Sequence, residues 1–394
     1  MPQSAKHLGI YIHVPFCARK CAYCDFYSVT DASLMREYTS AVVAHIRSKK
    51  KEFKNAVADT VFFGGGTPSL LPVEYIYEIL EAVRSVFKVA DDAEITLEAN
   101  PGTLDSPKLA AYRQMGINRL SLGLQSADEN ELATLHRIHT RNEFEHSFML
   151  ARLEGFDNIN VDLIYALPNQ TKAKLFDNLS YVISLNPEHI SLYGLTIEED
   201  TPFGQNPEII KAIPDEDMQF DMYKSSCMEL DKHGYKQYEI SNFAKKGYAC
   251  THNIKYWTNL EYIGFGPAAA SFVDNTEYCY ARDLPLYISC VNDESGIRVY
   301  DEDVGAPEHV LDKEELETRY LMTSFRLRAG INCAEYNRLF GQPFEKKYED
   351  KIEKYINAEF MVKTLHGYRL TRRGMMISNT ILSDILTFKS HNGG

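Results

Sequence analysis

The segment Tyr11-Ile12-His13-Val14-Pro15-Phe16-Cys17-Ala18-Arg19-Lys20-Cys21-Ala22-Tyr23-Cys24-Asp25-Phe26 sets three cysteines at i, i+4 and i+7, directly after an apolar run that reads as a strand. That spacing would put three small, hydrophobe-like side chains on one face of a core helix. Pro15 ahead of the run, and Arg19, Lys20 and Asp25 around it, argue against a buried helix. A structural zinc site needs four closed ligands, and the segment offers three unless His13 joins. A four-iron cluster on three thiolates fits better, because its fourth iron stays open to an exchangeable ligand.

Around this loop the chain alternates strand-like and helix-like segments. Strands are expected at 8–14, 60–64, 94–100, 119–125, 158–166 and 189–195, each short, apolar or β-branched, and bounded by Gly, Pro, Asn or Asp. Helices are expected at 34–53, 73–87, 106–115, 129–136, 142–153 and 171–185, the third opened by Asp105-Ser106-Pro107 and closed by Gly116. About six βα units in succession predict an α/β protein with a parallel sheet, either doubly wound or a partial barrel. No GxGxxG follows the first strand, and polar residues gather at strand C-termini, so a partial (β/α)6 TIM-like barrel is favoured.

Past Thr196 the alternation stops. Residues 198–215 read as a loop or excursion, 217–233 as a helix, 235–272 as a compact aromatic-rich segment, and 293–312 as an irregular acidic stretch. Helices at 313–328 and 347–358, a hairpin turning at His366-Gly367 and a last helix to about Leu386 suggest a winged-helix-like α+β module. The expected division is 1–240 for the barrel, 241–310 for the aromatic segment and connection, and 311–394 for the C-terminal module.

The chain has 394 residues, 44% hydrophobic and 25% charged, which is ordinary for a water-soluble globular protein. Its net charge of −13 argues against a general nucleic-acid binder, even though the C-terminal module is mildly basic. Eight cysteines in this length are not a disulfide scaffold. With no signal peptide, twin-arginine leader or membrane-length apolar run, a reducing cytoplasmic setting is expected.

Several polar residues stand at the expected strand ends. Phe63-Gly64-Gly65-Gly66-Thr67-Pro68 closes the second strand, where consecutive glycines admit a ligand to the backbone or simply make a tight turn. Glu98 ends the third strand and Gln125 the fourth, while Asp162 sits inside the apolar fifth, where a charge is costly unless paired. Arg137 is either a partner for such a carboxylate or for a ligand, or a surface helix charge.

The CxxxCxxC spacing resembles the radical S-adenosylmethionine (SAM) superfamily. In that superfamily the open iron is chelated by the amino and carboxylate groups of SAM, and an electron from the cluster cleaves the sulfonium to a 5′-deoxyadenosyl radical. The motifs as a set resemble the oxygen-independent coproporphyrinogen III oxidases and their heme-chaperone branch, HemW, over nearly the whole chain. The resemblance implies Cys17, Cys21 and Cys24 as cluster ligands and Tyr11, Tyr23, Gly65, Gly66, Thr67, Glu98, Gln125, Arg137 and Asp162 as the SAM site.

Two features bear on the branch. The oxidases resemble CxxxCxxCxC, and Phe26 stands where their further cysteine would be. His252-Asn253-Ile254-Lys255-Tyr256-Trp257 resembles the HNxxYW motif associated in HemW with heme, which implies His252 as a heme ligand beside an aromatic wall of Tyr256 and Trp257. A purely structural reading makes the same residues a His-Asn turn with a Tyr-Trp pair closing the barrel mouth. One segment departs from the branch: where HemW proteins commonly carry GAHS, this chain has Ala268-Ala269-Ala270-Ser271. The implied function is a heme chaperone that holds a [4Fe-4S] cluster and SAM, draws on an electron donor, and passes heme to an acceptor such as a respiratory enzyme. The alternatives are radical decarboxylation of coproporphyrinogen III and a radical methylase or heme-degrading activity.

Overall fold

Six strands run parallel in chain order: β1 (His7–Val14), β2 (Val57–Gly65), β3 (Lys88–Ala99), β4 (Arg119–Gln125), β5 (Ile159–Tyr165) and β6 (His189–Gly194). The computed structural model describes residues 6–291 and 309–386, so most of the acidic stretch expected at 293–312 lies outside the described residues. Each strand pairs with its predecessor and the winding never reverses. A doubly wound sheet needs that reversal, so the architecture is a partial (β/α)6 barrel.

Local signals place the connecting helices well. Asp105 accepts from the amide of Lys108 at the start of helix Ser106–Gln114, and Thr140 with Glu143 forms a capping box before Arg141–Leu153. β3 begins six residues earlier than its sequence suggests. Its first residues, Lys88 and Val89, pair with Val57 and Ala58, but exposed Asp91 and Asp92 then interrupt the apolar pattern. The excursion after β6 contains one short helix, Pro207–Ala212.

The sheet stays open between β1 and β6 and is extended at both edges. Tyr262–Phe265 runs parallel beside β1 and is followed by antiparallel strands Ala270–Val273, Thr276–Cys279 and His309–Val310. Asn242–Ala244 runs antiparallel beside β6, with Lys236–Gln237 outside it. The aromatic segment is therefore woven into the barrel sheet.

Between these edges the chain crosses the N-terminal ends of the parallel strands. The crossing carries helix Thr251–Trp257, which Lys255 ties to Asp59 and His252 to Thr60, both at 2.8 Å. Glu94 of β3 caps the helix, accepting from the amides of Thr251 and His252 at 3.0 Å each. The HNxxYW motif is thus a helix rather than a turn, and it closes the barrel at the end opposite the cysteine loop, not at the mouth.

The C-terminal module has its own core, with Phe325, Tyr336, Phe344 and Tyr368 buried between helices and a three-stranded antiparallel sheet. That sheet joins Ile331–Asn332, Gly367–Leu370 and Met361–Lys363. Helix Cys333–Phe340 adds to the expected elements, and the single last helix expected is two, Arg372–Met376 and Ser378–Ile385, broken at Ile377.

Candidate functional site

One cavity of about 580 Å³ runs through the barrel from the cysteine loop to the helix that closes the far end. Cys17, Cys21 and Cys24 line it and are free and partly exposed. Among the described residues, no three His, Cys, Asp or Glu side chains are arranged to hold a single metal ion. Three thiols sharing the wall of a roomy cavity suit a polynuclear group better than a mononuclear zinc. Burial, with Cys21 and Cys17 nearby, pushes the Cys24 thiol up to about 11, so the thiolate form needs the positive charge a metal brings.

The glycine run is stitched to the cysteine loop. The amide of Gly66 donates to Val14 O at 2.8 Å and that of Thr67 to Phe16 O at 2.7 Å. A Cβ on Gly66 would sit 2.7 Å from Phe16 O and 2.9 Å from Val14 O, so only glycine fits there. Thr67 Oγ1 lies 3.7 Å from Cys17 Sγ, and the Gly65 amide donates to Glu98 at 3.2 Å. Burial, reinforced by Asp162, pushes the Glu98 carboxyl up to about 8.

Arg137 is no surface charge. It follows helix Glu129–Thr134 in a loop and turns inward, donating to Asn100 Oδ1 at 2.6 Å, Gly123 O at 2.9 Å and Cys21 Sγ at 3.5 Å. Its partners are thus a sulfur and neutral oxygens, not a carboxylate. Asp162 is satisfied by Asn160 at 2.8 Å and Ser121 at 3.2 Å, and burial raises its pKa. Tyr11 and Tyr23 line the cavity, Tyr11 bonding to His13 Nδ1 at 3.1 Å and Tyr23 packing against Phe203. Gln125 also lines it, at a φ of 68° that a non-glycine residue rarely adopts.

The residues implied for SAM therefore share one cavity with the three cysteines. His252 faces its closed end, where the ring is fully engaged: Nδ1 with Thr60 Oγ1 and Nε2 with the Tyr256 hydroxyl, each at 2.8 Å. Burial pushes His252 down to about 3, so the imidazole is neutral. Tyr256 lines the cavity as expected of an aromatic wall. Trp257 does not; its ring packs beneath Arg326 of the C-terminal module, 5.4 Å from ring centroid to guanidinium. Ala270, in the place of the GAHS histidine, is exposed, and Ala268 holds a φ of 60° where the motif has glycine.

Sequence reasoning missed Asn100, Arg119, Ser121, Gly123 and Asn160, all of which line the cavity. The signal was present in β4, where Arg119, Ser121 and Gly123 alternate with leucines and so share one face. A Cβ on Gly123 would meet Gln125, Asn100 and Arg137 at 3.0–3.2 Å, so this glycine makes room for Arg137.

The Radical SAM superfamily model matches residues 11–182 and the HemN C-terminal domain model residues 311–377. The chain is 32% identical over 391 residues to the heme chaperone HemW of Haemophilus influenzae, spanning 96% of this chain and 98% of that one. HemW of Bacillus subtilis is 30% identical over 379 residues, 95% and 98% of the two chains. HemW of Escherichia coli is 39% identical over 264 residues, 66% and 69%. Among solved structures, coproporphyrinogen III oxidase (HemN) from Escherichia coli, a radical SAM enzyme, matches with a TM-score of 0.85 over 98% of this chain and 91% of its own, at 20% identity, a likeness of fold.

Proposed function

The chain belongs to the HemW family within the radical SAM superfamily, and on that premise we propose that it is a heme chaperone. In this reading Cys17, Cys21 and Cys24 hold a [4Fe-4S] cluster whose fourth iron accepts SAM. Glu98, Gln125 and Asp162 line the SAM site, with Tyr11 and Tyr23 as walls and Gly65, Gly66 and Thr67 presenting backbone. The cluster supplies a one-electron reductant when loaded, and the chain positions the groups around it. Arg137 holds a fixed positive charge and a donor at Cys21 Sγ, and the Gly66 and Thr67 amides fix the loop that carries the cysteines.

The observation that carries this reading is the convergence of three partly exposed thiols and the SAM residues on one cavity. A volume of about 580 Å³ is in the range of small-molecule and cofactor sites. Heme is taken up on the His252 side and passed to an acceptor protein, such as a respiratory enzyme, in the cytoplasm; an external donor reduces the cluster. Ligation by His252 requires one of its two ring hydrogen bonds to open first. No helix among the described residues is long and apolar enough to cross a membrane.

The test is anaerobic. The cluster is reconstituted, heme is titrated while the Soret band is followed, and coproporphyrinogen III consumption is assayed with SAM and a reductant. Stoichiometric heme binding without turnover is the expected result. Formation of protoporphyrinogen would replace the chaperone with the oxidase.

A further inference from the structure

The barrel encloses one charge that the cofactor reading leaves unused. Arg119 opens β4 and is only 2% exposed, yet among the described residues its guanidinium makes no hydrogen bond or ion pair, and its Nε is enclosed without a partner. Glu94 and Asp162 lie close enough to offset part of its charge, but neither hydrogen-bonds it. Glu94 spends its oxygens on the amides of Thr251 and His252 and on the Cys250 thiol, and Asp162 on Asn160 and Ser121. A buried cation with unmatched donors is strongly unfavourable, and a guanidinium fork matches a carboxylate in shape and charge.

Arg119 lines the same cavity as Cys17, Glu98 and His252, so a ligand entering at the cysteine end reaches it without crossing protein. The register sets Arg119 beside Thr96, two residues before Glu98, so it lies about 7 Å deeper in the barrel than Glu98 and six residues below Gln125 at the mouth. We propose that Arg119 anchors an interior carboxylate subsite at the closed end of the barrel. The carboxylate is either a propionate arm of a tetrapyrrole seated on the His252 side or a separate small carboxylate. The first source rests on the heme-chaperone reading; the second does not.

The test uses the full-length reconstituted protein. Heme and heme dimethyl ester are titrated against wild type, Arg119→Gln and Arg119→Lys, and melting is recorded with sodium propionate against sodium chloride at equal ionic strength. Wild type is expected to prefer the free acid by about tenfold or more, with the ratio falling to near one in Arg119→Gln. Stabilisation by propionate that vanishes in Arg119→Gln, without an acid-over-ester preference, assigns the subsite to a small carboxylate. Equal affinity for acid and ester together with no propionate effect overturns the proposal, as does a preference that survives unchanged in Arg119→Gln. If wild type binds neither heme form, the chaperone reading fails, and the propionate measurement still decides the subsite. Should Arg119→Gln not fold, the wild-type ratio and Arg119→Lys decide.

Discussion

Arg137 Nη1 reaches Cys21 Sγ at 3.5 Å although the two residues are 116 positions apart. The same guanidinium is clamped by Asn100 and by the carbonyl of Gly123, so its position does not depend on the sulfur. A cation and donor fixed beside a cluster ligand stabilise the reduced, more negative state. Arg137→Ala should lower the cluster reduction potential, read by EPR during a redox titration, and weaken iron retention by roughly tenfold or more against a chelator. An unchanged potential would separate Arg137 from the cluster.

Glu98 titrates where SAM binding can be measured. With its carboxyl pushed up to about 8, the side chain is mostly protonated at neutral pH and attracts the cationic sulfonium of SAM only when ionised. SAM affinity, measured by equilibrium dialysis on the reconstituted protein, should rise by up to about tenfold from pH 7 to pH 9. Glu98→Gln should flatten that profile. A rise that persists in the variant would move the titrating group elsewhere.

His252 carries a structural load whatever it ligates. Replacing it with alanine leaves the Thr60 and Tyr256 hydroxyls without their ring partner at the closed end of the barrel. A loss of about 2–3 kcal/mol in urea unfolding is expected. If His252 is also an axial ligand, heme affinity should fall in the still-folded variant. Unchanged Soret titrations would leave it with the structural role alone.

Five buried histidines should make the protein acid-labile. Burial pushes His45 and His252 down to about 3, His13 and His139 to about 4, and His189 well below its usual range. The unfolded chain binds protons at these sites near pH 6.5 that the native state refuses, so stability is present above that pH and falls below it. Each histidine contributes about 1.4 kcal/mol per pH unit. Glu98 and Glu239, raised by burial to about 8 and about 7, and Asp162, also raised, act oppositely and cost stability as pH rises from about 4. The urea midpoint should therefore peak near pH 6.5 and drop steeply toward pH 5, since the histidines outnumber the carboxylates. A flat profile from pH 7 to 5 would contradict it.

Ala268 occupies the left-handed region at φ 60°, where a Cβ is strained. Ala268→Gly should raise stability by roughly 0.5–1 kcal/mol, the relief of strain less the added freedom of the unfolded chain. A destabilised variant in thermal melts would show that the methyl group contributes more through packing than it costs in backbone strain.

The sequence by itself determined the cysteine loop and the βα alternation, because each is written in short-range spacing: three cysteines in eight residues, period-two strands, and caps within three or four residues of a helix start; the SAM residues were implied only by the family resemblance. What it left open depends on contacts between distant segments. Nothing local says that helix Thr251–Trp257 crosses under the starts of β1 to β4, since that follows from the direction in which Asn242–Ala244 and Tyr262–Phe265 join the two sheet edges. Nothing local says that Arg137 leaves its helix and turns inward, or that Arg119 is enclosed without a hydrogen-bond partner. Strand periodicity tells which side chains share a face; only the closing of the barrel decides which faces meet, and so which charges are paired.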